Sequence, residues 1–192
     1  MDVTQVQAFA REMQRLENPL LAVDPEVVKK AVAMGLSLID PTQPFGSTLF
    51  NALCQVTVTV AIEAVALRTN PGSGGIEVLL TQRPKTEPAY PGEWHCPGSA
   101  LRPGELIQSV FARLSRAEFF TSIAMWKDAG VWNNPNEARG HFLHLVYLCL
   151  VEGGSRGQWF PVELLPTPTV DHHGEQIIPM ALRVYNALEM PW

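Results

Sequence analysis

Glu105 and Arg113 are separated by seven residues, and Glu118 follows five positions later. They stand just after a loop rich in glycine and proline, within PGEWHCPGSALRPGELIQSVFARLSRAEFF, Pro91 to Phe120. An acidic residue at a helix start is favoured electrostatically. A loop-to-helix ion pair between Glu105 and Arg113 is therefore the structural expectation for these two. Glu118 is a candidate ligand for a hard cation, because carboxylate oxygens suit Mg²⁺. Secondary candidates are Glu93 and His95, which strand alternation would put on one face. Glu152 at a strand end and the cluster Asp171, His172 and His173 complete the set. For the last cluster, helix capping is the simpler role.

The loop and helix resemble the Nudix box, G-x5-E-x7-R-E-U-x-E-E-x-G-U, where U is a bulky aliphatic residue. Glu105 and Arg113 keep its spacing, but other positions depart. Ser99 replaces the first glycine, Leu114 the glutamate after the arginine, Ala117 the first residue of the E-E pair and Phe120 the last glycine. VLLTQRP, YPGEWHCPG and WFPVELLP are similar to further segments of that family. The resemblance covers roughly residues 57–188.

It implies an α/β (α+β) fold: a Nudix-like mixed β-sheet sandwiched between helices. It also implies Mg²⁺ or Mn²⁺ as cofactor, Glu118 as catalytic residue and metal ligand, and Arg83 as a substrate contact. Glu105 and Arg113 would be structural residues of the box. The ligand would be a small-molecule nucleotide or phosphoanhydride. Glutamates at i, i+3 and i+4 share a helix face, and here that face carries Leu114, Ala117 and Glu118. One remaining carboxylate predicts weak or absent pyrophosphohydrolase activity. The competing readings are a slow, divergent hydrolase, an inactive nucleotide-binding or regulatory module, and an interaction protein whose N-terminal helices form a homodimer surface. Leu114 and Ala117 line an open cleft in one case and have become core in the other.

The elements that position these residues follow from periodicity. Val3, Val6, Phe9, Ala10, Met13 and Leu16 recur at helical spacing until Asn18-Pro19. A second helix has Asp24 as N-cap, Pro25 at its first position and Gly35 as its stop. GSTLFNAL, residues 46–53, only faintly echoes a phosphate-binding loop, lacking the lysine before Ser47. Strands are expected over residues 56–67, 76–82, 92–96, 123–132 and 141–152, the last two joined by the turn NNPNEARG. Helices are expected over residues 105–120 and 175–188. The division is an N-terminal helical extension, 1–45, and a Nudix-like domain, 46–192.

Composition bounds the rest. With 192 residues, 46% hydrophobic and 17% charged, the chain is globular. Its net charge of -5 argues against a nucleic-acid partner. Three scattered cysteines form neither a disulfide framework nor a zinc set, which suits a cytoplasmic protein. No apolar run is long enough for a membrane span, so no membrane partner is expected.

Overall fold

The computed structural model describes residues 3–16, 25–153 and 156–188. The chain divides into two compact units, Met1–Pro44 and Phe45–Trp192.

The first unit holds α1, Val3–Leu16, and α2, Pro25–Leu36. Glu26 lies in the first turn of α2, where the helix dipole favours it. Gly35 does not stop α2 directly. The helix ends in tighter turns, with Leu38 N–H donating to Gly35 and Ile39 N–H to Leu36. Asp24 and Asn18-Pro19 lie outside the described residues.

The second unit opens with α3, Gly46–Cys54, followed by the strands β1, Val58–Thr69; β2, Ile76–Gln82; β3, Trp94–His95; and β4, Gly98–Ala100. α4, Ile107–Leu114, runs into a π-helical turn, Ser115–Phe119. Then come β5, Ile123–Glu137; β6, Gly140–Val151; and β7, Gln158–Pro161. A second π turn, His173–Ile177, leads into α5, Ile178–Asn186.

The strands form one mixed sheet in the order β3-β2-β1-β6-β5, with β4 on β1 and β7 on β2. β1 and β6 are parallel, from Val58 opposite His141 to Ala66 opposite Cys149. Central β1 is apolar on both faces and its alternation divides the core. Ile62, Ala64 and Ala66 pack with Val110, Phe111 and Leu114 of α4. Val65 and Leu67 pack with Ile178, Met180 and Ala181 of α5. The expected sheet between helices is present.

Three elements differ from the sequence reading. Residues 46–53 form a helix. The box helix begins at Ile107, not Glu105, and its last turn is π-helical. β5 continues to Glu137, through most of the expected turn. Register shifts between Asp128 and Gly130 and between Asn134 and Glu137 absorb the irregularity. Pro135 is tolerated because β5 is an edge strand, where a missing N–H costs no ladder bond.

Candidate functional site

Charged residues on buried strands need partners, and β1 and β6 each carry one polar side chain into the core. Glu63 falls on the same side of β1 as Val65 and Leu67, and His144 on the same side of β6 as Val146 and Leu148. His144 Nδ1 donates to Glu63 Oε1 at 2.9 Å. His144 stacks on Trp132, ring centroids 5.1 Å apart. Its Nε2 is buried without a partner. Burial pushes the Glu63 carboxyl above the usual range, opposed by the His144 bond and the positive charges of Arg139 and Arg83.

This pair lies in the wall of a pocket of about 80 Å³. A buried water needs roughly 10–15 Å³, so the pocket has room for several water-sized groups. The pocket also receives Arg83, Tyr90, His95, Glu137, Arg139, His172 and His173, with Phe50, Phe142 and Ser99. The β5–β6 turn places Arg139 there. Its guanidinium lies 5.0 Å from the Phe142 ring centroid and 5.8 Å from that of Phe50. Its Nε donates to Glu137 at 3.2 Å, while both Nη atoms make no hydrogen bond among the described residues. Arg83 donates from Nε to the Ala89 carbonyl at 2.9 Å and from Nη2 to Glu87 at 3.3 Å, leaving Nη1 uncommitted.

Burial disfavours the charged form of the other three histidines that line the pocket, His95, His172 and His173. His95 and His172 are both lowered to about 4, chiefly by desolvation. Desolvation also holds His173 well below its ordinary value. The Cys96 N–H donates to His173 Nδ1 at 3.1 Å, so that nitrogen carries a lone pair.

Of the box positions, Ser99 lines this pocket, whereas Glu105, Arg113, Leu114, Ala117, Glu118 and Phe120 do not. Arg113 donates to Glu105 from Nε at 3.1 Å and from Nη2 at 2.8 Å. It also reaches Ser99 Oγ and the Ala100 carbonyl. The Arg102 N–H caps Glu105 Oε2. This fork ties β4 and the following loop to α4. Leu114 is core, 1% exposed, whereas Ala117 is exposed. Phe120, at the position of the last box glycine, takes a left-handed conformation with φ 55°. Glu118 is half-buried and does not line the pocket. Desolvation raises its carboxyl, offset by Arg83 and Arg156 and reinforced by Glu87.

Of the sequence candidates, the pocket gathers Arg83, His95, His172 and His173. Glu93, Glu152 and Asp171 do not line it, and no side chain caps the second π turn. Sequence reasoning missed Glu63, Glu137, Arg139 and Tyr90 as site residues. A signal existed for Glu63, the lone acid in the apolar run VTVAIEAVALRT. His144 similarly interrupts FLHLVYLCLV. Among the described residues, no three His, Cys, Asp or Glu side chains converge so as to hold a metal ion. The residues present therefore do not fit a Mg²⁺ or Mn²⁺ centre of the box type.

No protein-family model matches the chain. No curated protein matches it either. Solved structures do. The NUDIX domain of Shewanella oneidensis NrtR, crystallised with ADP ribose, is 18% identical with a TM-score of 0.54, covering 79% of this chain and 97% of that one. The longer NrtR structure is 22% identical with a TM-score of 0.53, covering 66% of this chain and 63% of that one. A MutT/nudix family protein from Enterococcus faecalis is 15% identical with a TM-score of 0.55, covering 97% of this chain and 76% of that one. At these identities the shared property is the fold: the chain has the Nudix fold. It spans 63% of the length of the longer NrtR chain.

One expectation is corrected. Absence of a nucleic-acid partner was argued from net charge, yet NrtR, with the same fold, is crystallised with a 27mer DNA. Net charge averages over a whole chain, whereas nucleic-acid binding depends on local patches. No helix of the described residues is long and apolar enough to cross a membrane.

Proposed function

We propose that this chain is a Nudix-fold binding module for a nucleotide or related phosphoanhydride compound, with hydrolysis slow or absent. The observation that carries the reading is Leu114. It stands where the box has a carboxylate, and it is packed in the core at 1% exposure. A hydrolase of this kind must neutralise phosphate oxygens with metal ions held by carboxylates. With Leu114 in the core and Ala117 uncharged, Glu118 alone is a poor metal anchor. The binding side of the cleft supports the reading differently. Arg83 and Arg139 offer uncommitted Nη groups to an anion, flanked by Phe50, Tyr90 and Phe142. The NrtR NUDIX domain is crystallised with ADP ribose, which makes ADP-ribose the first ligand to try. Three free cysteines suit a cytoplasmic setting for this module.

A phosphate-release assay with ADP-ribose and nucleoside triphosphates, in Mg²⁺ and in Mn²⁺, tests the reading. Turnover should lie far below the enzyme median of about 10 per second. Any residual activity should vanish in Glu118→Gln. Turnover near that median overturns the reading.

A further inference from the structure

Glu63 is 5% exposed, and its two oxygens are used unequally. Oε1 accepts from His144 Nδ1. Oε2 makes no hydrogen bond among the described residues. It lies against Gly98, where a Cβ would come within 2.3 Å of it, so only glycine leaves it room. Oε2 is not sealed away, since the one sealed and unpartnered side-chain polar atom among the described residues is His144 Nε2. Glu63 lines the pocket, which is where a donor to this oxygen would come from.

Burying such an oxygen is costly unless something donates to it. A cation is a poor occupant, because no three ligating side chains converge there and Arg83 and Arg139 share the pocket. An N–H donor on a ring fits better. The ring would sit among Phe50, Tyr90 and Phe142, and its anionic remainder would reach the free Nη groups of Arg83 and Arg139.

We propose that the pocket reads a heterocycle bearing an exocyclic amino group, such as an amino-substituted nucleobase, with Glu63 Oε2 accepting the amino N–H. This inference rests on the binding reading above and names the part of the ligand that the site distinguishes. An amino-to-oxo change turns the donor into an acceptor, which a carboxylate repels. Glu63→Gln presents an amide N–H to the same point while its oxygen still accepts from His144 Nδ1.

The test is calorimetry of the full chain with ADP-ribose and with its 6-oxo counterpart, inosine diphosphate ribose. The wild type should bind ADP-ribose at least about tenfold more tightly, the worth of one hydrogen bond to a charged group. In Glu63→Gln the preference should shrink or reverse, with a thermal melt confirming that the variant folds. The wild-type comparison stands even if the variant does not fold. Equal affinity for both compounds, or preference for the oxo form, overturns the proposal and leaves the binding reading intact. A folded Glu63→Gln that keeps the full preference also overturns it. Binding of neither compound removes both.

Discussion

Leu114 decides whether the box could be rebuilt. It packs with Val110, Phe111, Phe119 and Cys149 in the core beneath α4. Leu114→Glu would bury a carboxylate with no partner, costing several kcal/mol. Ala117 is exposed, so Ala117→Glu should change stability by no more than about 0.5 kcal/mol. Thermal melts of the two single variants should separate sharply. The Glu105–Arg113 fork makes a second prediction. Lysine cannot reproduce the paired donors of a guanidinium, so Arg113→Lys should lose about 1–3 kcal/mol in denaturant unfolding. Titration is also read residue by residue. His95 and His172 should titrate near 4 by NMR of their ring protons, against an ordinary value of 6.5. For a histidine whose folded value is depressed, the unfolded chain binds the proton first. The stability these rings contribute is therefore complete above about 6.5 and is lost as pH falls towards 4. Glu63 and Glu118, with raised values, act in the opposite sense as pH rises. Ring titrations near 6.5 would contradict the burial of this cluster.

Arg139 depends on two elements. Gly140 follows it at φ 141°, and a Cβ there would come within 2.0 Å of the Cys54 carbonyl at the end of α3. Gln55 Nε2 donates to the Arg139 carbonyl at 2.6 Å. The close approach of α3 to the β5–β6 turn thus holds Arg139, Phe50 and Phe142 together. Gly140→Ala should force α3 away from the turn, costing about 1–3 kcal/mol, and should weaken ADP-ribose binding beyond what the melt alone predicts. An unchanged affinity would show that α3 does not position Arg139. Much of this element structure was legible from periodicity: β1, β2, α5 and the box helix all stand near their expected places. The extent of β5 was not, because NNPNE reads as a turn to local rules. Its edge position, which forgives Pro135, is a property of the sheet. α3 was missed because its packing partner, Gly140, is remote in sequence.

At the scale of the molecule, the box positions and the residues that line the pocket share only Ser99. The first set was legible because it is contiguous. The second is assembled by topology: parallel pairing of β1 with β6 brings Glu63 to His144 across 81 positions, and no local pattern announces such a contact. Of the residues offered in advance as ligand candidates, Arg83, His95, His172 and His173 line the pocket. Binding should be independent of a divalent metal, since the groups offered to a ligand are Arg83, Arg139 and Glu63. The most direct measurement is calorimetry of ADP-ribose binding in EDTA and again in Mn²⁺, with chromatography of the recovered ligand. The affinity should be the same in both, with intact ADP-ribose at the end. Binding that requires Mn²⁺, or ligand recovered as hydrolysis products at a rate near 10 per second, would contradict this expectation.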